Sequence, residues 1–309
     1  MSAGASGRLF RAAPLPAPLD VFDVHVNALP DGVAPPGGLY GTVGAGEVLD
    51  GRDDDSPGLH FGGGCVTPPA GTDLLEGSRR LARRVAERGG GWHALLRFDA
   101  GGGARPATSP ASALRGVGRS LRRSPDGAVE RALLDEPELL DGFAGVKLTP
   151  QASALPGAEA LRLLGARRTP VLVHAGILCP PRWLERHLLP HLEGALILAH
   201  LGSWPCSADD LERAVELARD DERVYLETSG ASIGNFVRHA AERVPEKLLF
   251  GSNRPMCPPA VQFAHVAASV HDDDVLRAVA AGNARRLFGL PPDGASPDGA
   301  SRCAPERDA

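Results

Sequence analysis

Lysine is nearly missing from this chain. The 33 basic residues among its 309 include only two lysines, Lys147 and Lys247, so the other 31 are arginines. A coding bias toward arginine is the simplest reading, yet it makes each surviving lysine conspicuous. Aromatic residues are also sparse, at 5% of the chain, which points away from a large flat ligand. Positive charge is not in excess, since the formal net charge is −5. Binding to nucleic acid or to an anionic membrane surface needs a clustered basic surplus, so neither is expected as a partner. Long apolar runs are lacking, and residues 1–19 hold no apolar signal core, so neither a membrane span nor a secretory leader is expected. The five cysteines (Cys65, Cys179, Cys206, Cys257 and Cys303) are odd in number and widely spaced, which fits neither a disulfide framework nor a paired-cysteine zinc knuckle. A reduced, cytoplasmic setting is the expectation.

What the chain does have is loop-forming material, with 38 glycines and 28 prolines. Residues 1–19 lack periodicity, and 291–309 carry Pro-Asp-Gly-Ala-Ser twice, at 292–296 and 297–301. Both ends read as disordered tails around one domain, 20–290. Within it, eight short apolar runs read as strands: 20–27, 59–67, 92–98, 145–148, 170–174, 195–200, 224–228 and 247–252. Helix-period segments alternate with them at 72–88 (with Thr72 as N-cap), 128–140, 157–167, 181–192, 207–219, 235–243, 259–269 and 273–288. The alternation predicts an α/β protein with a parallel sheet, and eight units in this length predict a (β/α)8 TIM-type barrel. A doubly wound open sheet is the rival, but no G-x-G-x-x-G follows the first strand. Residues 100–112 read as a loop, the arginine runs at 79–84 and 121–123 as solvated helix faces, and Asp53 to Asp55 as far short of a calcium loop.

Barrel enzymes carry their chemistry at the C-terminal strand ends. Here those ends hold Asp23, His25 and Asn27 on strand one, Arg97 and Asp99 on strand three, and Lys147 on strand four. His174 ends strand five, His200 strand six, Glu227 lies on strand seven, and Asn253-Arg254 follow strand eight. Alternation along strand one is predicted to put Asp23, His25 and Asn27 on one face and the valines on the other. Three strand-end histidines and a lysine in an apolar strand need partners or a role, because burying ionisable groups is costly.

In sequence order the chain carries Phe22-Asp-Val-His-Val-Asn27, Gly145-Val-Lys-Leu148, Pro170-Val-Leu-Val-His-Ala-Gly176 and Leu196-Ile-Leu-Ala-His-Leu-Gly202. Val224-Tyr-Leu-Glu-Thr-Ser229, Leu248-Leu-Phe-Gly-Ser-Asn253 and Gly282-Asn-Ala-Arg-Arg-Leu-Phe-Gly-Leu290 follow. This ordered set resembles the amidohydrolase superfamily, in the branch that includes aminocarboxymuconate semialdehyde decarboxylase and pyrone dicarboxylate lactonase. The resemblance implies an amidohydrolase-like barrel with its active site at the mouth.

Two positions depart from the family pattern. Its first motif is His-x-His, where this chain has His25-Val26-Asn27, and its last strand ends in Asp, where this chain has Asn253. The resemblance implies a zinc site built from four positions, 25, 27 and 253 together with His174. Mapped here, only His25 and His174 keep ligand chemistry, and amide oxygens hold zinc poorly, so a tight zinc site or any cofactor is not expected. The Asp-to-Asn change also removes a proton acceptor.

Three readings follow. In the first, the chain is a metal-independent enzyme in which His200, Lys147 and Glu227 supply acid, base and electrostatics. Arg97, Arg254, Asn27 and Asn253 would then bind a small carboxylate- or carbonyl-bearing substrate, with hydrolysis as the reaction and decarboxylation as its nearest alternative. The resemblance includes a lactonase that works without metal. In the second, the barrel is catalytically silent and binds a ligand or partner. In the third, Cys179, Cys206 and Cys257 join His25 and His174 in a thiolate-containing site, or one of them is a nucleophile, against the plain alternative of buried apolar cysteine. Arg97 and Arg254 are candidates for clamping a carboxylate, with pairing to Asp99 or other loop acids as the competing reading. Glu227 carries its own alternative, since its strand parity could turn it toward the helices. The remaining histidines (60, 93, 187, 191, 239, 265 and 271) read as surface or packing residues. The sequence leaves the oligomeric state open, a homo-oligomer included.

Overall fold

The computed structural model describes residues 19–33, 42–50, 58–100, 103, 106 and 127–291. Both expected tails apart from Leu19 and Pro291, the acidic triplet 53–55, the arginine run 121–123 and Cys303 lie outside the described residues, as does most of the 100–112 loop.

Eight strands form one sheet in the order of the chain: β1 (Leu19–Asn27), β2 (Leu59–Thr67), β3 (Gly91–Arg97), β4 (Gly145–Leu148), β5 (Val171–Val173), β6 (Leu196–Leu198), β7 (Val224–Glu227) and β8 (Leu248–Leu249). Every neighbouring pair is parallel. The last strand meets the first through Val24 N donating to Phe250 O (3.0 Å), Asn27 N donating to Arg254 O (2.8 Å), and a parallel bridge between Val26 and Arg254. The sheet is thus a nearly closed (β/α)8 barrel, as the alternation of apolar runs predicts.

Strands of such a barrel are apolar on both faces because helices cover the outside and side chains fill the inside. Val171, Val173, Leu196, Leu198, Val224, Leu226 and Leu248 belong to the large cluster shared with the helices. Phe22, Val24, Cys65, Leu95, Leu172, Ile197, Ala199 and Leu249 form a separate cluster, with Ala281 and Ala284. Val24 in that company corrects the expected alternation. The register of β1 against β2 slips between Asp23 and Val26, where β1 carries one residue more than its partner. A bulge of this kind re-aims the side chains beyond it.

The covering helices among the described residues are α1 (Ala45–Leu49), α2 (Leu74–Arg88), α3 (Ala128–Asp135), α4 (Ala158–Ala166), α5 (Pro181–His187), α6 (Ala208–Asp220), α7 (Gly234–Arg243), α8 (Pro259–Ser269), α9 (Asp273–Arg277) and α10 (Asn283–Leu287). The cap of α2 is Asp73, whose carboxylate accepts from Glu76 N (3.0 Å); Thr72 instead donates to Pro69 O. Its arginines pair at the surface, Arg80 with Glu76 and Arg79 with Glu136. Two expected helices stop early for the same reason. Pro137 ends the α3 segment at Asp135, and Pro190 interrupts 181–192 after α5, each giving way to a tight 3-10 turn. The expected helix 273–288 is α9 and α10 joined by a π turn over Ala278–Gly282. That turn holds the last strand short: Phe250 N donates to Val279 O rather than extending β8.

Candidate active site

The C-terminal strand ends bring His25, Asn27, Arg97, Lys147, His174, His200 and Glu227 into one hydrogen-bonded cluster, and Ser229 and Asn253 join it. Lys147 Nζ lies 2.7 Å from His25 Nε2 and 2.8 Å from Asn27 Oδ1. On the other side of the same ring, His25 Nδ1 is 3.0 Å from Glu227 Oε2. A carboxylate oxygen accepts, so Nδ1 carries the ring proton and Nε2 offers its lone pair to Lys147. Glu227 also accepts from the Ser229 amide and, at 2.8 Å, from the Ser229 hydroxyl. Its carboxylate thus faces the barrel interior rather than the helices, and is fully buried. Gly251 makes this placement feasible, because a Cβ there would collide with Glu227 Oε1.

A second histidine chain meets this one at Ser229. His200 Nδ1 is 2.8 Å from Ser229 O and 3.0 Å from Ser229 Oγ. A carbonyl only accepts, so Nδ1 is protonated and His200 Nε2 accepts from His174 Nδ1 at 3.1 Å. His174 Nε2 is then a lone pair with no hydrogen-bond partner among the described residues. His174 is also the least enclosed of the three histidines. Its ring packs edge-on against Trp204, with centroids 5.5 Å apart. Gly176 (φ 142°) lets the β5 and β6 loops approach closely enough for this, since a Cβ there would strike the Trp204 backbone.

The backbone at His200 and Leu201 is left-handed (φ 62° and 54°), a conformation that costs a residue with a side chain about 1–2 kcal/mol. Ser203 holds the turn, its amide and hydroxyl both donating to His200 O. This turn replaces the expected continuation of β6 through His200.

Burial dominates the electrostatics. It pushes His25 well below the ordinary histidine range, with Lys147 and Arg97 adding to the effect. It likewise lowers His200 to about 4, against the opposing pull of Glu227, and lowers His174, with His200 and His25 contributing. Burial and Arg97 hold the Lys147 amino group well below the usual lysine range, while burial raises Glu227. Arg97 falls only to about 10, for the same reason, and so stays cationic at neutral pH. Asp23, just before the bulge, accepts from Ser252 Oγ (2.5 Å), Ser252 N (2.9 Å) and His25 N (3.1 Å), and burial raises it to about 7.

Arg97 does not pair with Asp99, which accepts from Val129 N instead. Its guanidinium donates to Asn27 Oδ1 (3.1 Å), Pro68 O (3.2 Å) and, at 3.4 Å, Thr149 Oγ1. Among the described residues no carboxylate lies within ion-pair distance of it. Arg254 points elsewhere, its guanidinium 3.8 Å from Glu47, and serves the site through its backbone carbonyl, which accepts from Asn27 Nδ2.

The cysteines do not join the cluster. Cys179 is packed in the apolar core with its thiol raised by burial, Cys206 meets Ser232, and Cys257 meets Pro258 O. Cys179 is the buried apolar cysteine of the plain alternative, whereas Cys206 is exposed and Cys257 half-buried. His93, far from the cluster, stacks on Phe288 and Phe22, and His239 pairs with Glu212. Sequence reading missed Ser229, Thr67 and Trp204. Only Ser229 carried a signal, a hydroxyl two residues past a strand-end glutamate.

A family model described as amidohydrolase matches residues 61–290. The chain belongs to the amidohydrolase family. Among solved structures, this amidohydrolase is similar to a probable 2-pyrone-4,6-dicarboxylic acid hydrolase from Acinetobacter baumannii with citric acid bound, at 16% identity, TM-score 0.54, and 87% and 99% coverage of the two chains. A protein from Agrobacterium tumefaciens aligns at 18% identity and TM-score 0.60 over 91% of this chain and all of the other. The 2,6-dihydroxybenzoate decarboxylase from Rhizobium aligns at 16% identity and TM-score 0.51, over 88% and 99% of the two chains. No curated protein matches the sequence. Among the described residues no helix of this amidohydrolase is long and apolar enough to cross a membrane.

The family resemblance implies a metal ion at His25, Asn27, His174 and Asn253, and the donor atoms present do not fit one. The His25 Nε2 lone pair is taken by Lys147, and Asn27 Oδ1 accepts from Lys147, Arg97 and Thr67. Asn27 Nδ2 is bonded to Asn253 Oδ1 at 2.8 Å. Among the described residues no three His, Cys, Asp or Glu side chains are grouped so as to hold a metal.

Proposed function

We propose that this amidohydrolase hydrolyses a small carboxylate-bearing substrate by acid–base chemistry from its own side chains, without a metal. The observation that carries the reading is Arg97, a buried guanidinium with no acidic partner among the described residues. An isolated buried cation is costly, and a substrate carboxylate is the anion that would complete it, with the planar bidentate geometry that guanidinium favours.

His174 is positioned to handle the proton. With its Nδ1–H donated to His200, its Nε2 can take a proton from an attacking water. The positive charge so formed is shared with His200 through the bond between the rings, and the Glu227 carboxylate lies behind His200 by way of Ser229 and against His25 directly. His174 would therefore be the catalytic base, with His200, Ser229 and Glu227 as positioning residues. The Acinetobacter relative is described with citric acid bound, a small molecule that bears carboxylates.

The test is turnover of a panel of carboxylated lactones, amides and β-keto acids in the presence of chelator. Hydrolysis of a carboxylated member is expected. Arg97→Met should raise KM about 10- to 100-fold for that substrate and leave its neutral methyl ester little affected. His174→Ala should lower kcat about 100-fold or more. Release of CO2 from a β-keto acid, with no ring or amide opened, would assign the decarboxylase chemistry instead. Activity abolished by chelator and restored by zinc would overturn the metal-free reading.

A further inference from the structure

A metal ion in such a barrel is held by lone pairs that converge on one point from different strands. Here two of the converging atoms, His25 Nε2 and Asn27 Oδ1, are already engaged by a single atom, Lys147 Nζ, at 2.7 and 2.8 Å. Both distances are those of good hydrogen bonds, and all three residues are buried. The proton on His25 Nδ1 is fixed by Glu227, so the Nε2 lone pair has no direction to point other than toward the amino group. Lys147 reaches this position because β4 sits in register between β3 and β5, with Lys147 opposite Arg97 and Leu172.

We infer that Lys147 occupies the ion's place in this site, a covalently tethered N–H donor that satisfies the lone pairs of His25 and Asn27 and shuts out a divalent cation. The inference rests on the metal-free reading given above, and it goes further by naming the residue that keeps the metal out. The neighbourhood reinforces the exclusion. Arg97 directs a second donor, its guanidinium, at Asn27 Oδ1 from 3.1 Å, so an ion placed there would face a cation at close range as well as lose the oxygen's lone pairs. The role asks for a long side chain that ends in a compact donor. Arginine would bring a planar fork five donors wide where one atom must touch two acceptors, which gives a physical reason for a lysine here in a chain whose other basic residues, Lys247 apart, are arginines. The side chain acts through His25, and is a positioning residue in that sense.

The inference predicts that taking the amino group away opens the site to metal once ligands are supplied. Zinc and cobalt binding are to be measured by calorimetry, and for cobalt by its visible absorption, in the unaltered protein, in Asn27→His/Asn253→Asp, and in that pair combined with Lys147→Met. The triple variant is expected to bind at least about tenfold tighter than the pair, the lower end of what altering a group bonded to a metal ligand does to affinity. Equal affinity with and without Lys147 would overturn the inference and leave the metal-free reading standing. Stoichiometric zinc on His25 of the unaltered protein would overturn both. Should the triple variant lose its near-ultraviolet dichroism, ring nitrogen shifts of the unaltered protein decide the matter. His25 is expected as the neutral Nδ1–H tautomer with a hydrogen-bonded Nε2, and Nε2–H would overturn the assignment of Lys147 as donor.

Discussion

Asn27 and Asn253 are bonded to each other, amide nitrogen to amide oxygen, at 2.8 Å. That bond completes the inventory of the Asn27 side chain, which also gives its second amide hydrogen to Arg254 O and its oxygen to Lys147, Arg97 and Thr67. One neutral amide thus holds the Lys147 amino group and the Arg97 guanidinium in place. Asn27→Ala would leave both short of an acceptor while buried. The expected loss is about 2–4 kcal/mol in urea unfolding at neutral pH. A loss under about 1 kcal/mol would mean that the two donors find other acceptors.

Asp23 titrates at about 7 in the folded protein, raised by burial and by the nearby Glu227 against the donors of Ser252 and His25. In the unfolded chain it returns to the ordinary carboxylate value near 4. The folded state therefore binds the extra proton between these limits, and the stability contributed by Asp23 is complete below about pH 4 and lost as pH rises through about 7. Asp23→Asn is expected to gain on the native protein as pH is raised from 5 to 8, read from the urea midpoints of both. Parallel curves would sink this account.

His200 moves the other way. Burial lowers it to about 4, so it stays neutral in the folded state while the unfolded ring charges below about 6.5. Its contribution is present above that value and lost as pH falls toward 4. In a proton-resonance titration the His200 ring signal should stay unshifted from pH 8 to about 5, whereas a free imidazole moves near 6.5. A midpoint above 6 would contradict the buried, Ser229-bonded arrangement.

Gly176→Ala is expected to do more damage than its single methyl suggests. The residue has φ 142°, and its Cβ would meet the Trp204 backbone, which also accepts from Ile177 N at 2.8 Å. We expect a loss of about 2 kcal/mol or more, with a change in the near-ultraviolet dichroism as Trp204 leaves the His174 ring. An unchanged spectrum would show that the two loops are less tightly joined.

The barrel and most of its polar mouth could be read from residue order alone, because a parallel barrel forces apolar strands and gathers chemistry at their ends. His25, Lys147, His174, His200 and Glu227 are all strand-end residues, and they converge. What escaped reading depends on features with little sequence signature. The bulge in β1 adds one residue, so that Val24 faces inward with Phe22 and yet His25 and Asn27 do as well, which no alternation pattern reveals. Ser229 links two histidine chains through a hydroxyl of a kind found in any loop, and Trp204 reaches His174 from the following strand's loop. The spacing of Cys179, Cys206 and Cys257 suggested convergence, but the loops turn these side chains into the core or onto local partners. Arg254 lends the site its carbonyl and not its guanidinium, a distinction that a residue name does not carry.

The closure of the ring has one more consequence. Asn27 donates its main-chain hydrogen to Arg254 O, the same oxygen that its side chain uses, and the adjoining Val26 bridges to the same residue. The stitch that fastens the last strand to the first is therefore also a wall of the candidate site. Any fluctuation that unzips the barrel there dismantles the polar cluster in the same event, so the exchange rate of a single amide, that of Asn27, reports on the integrity of both.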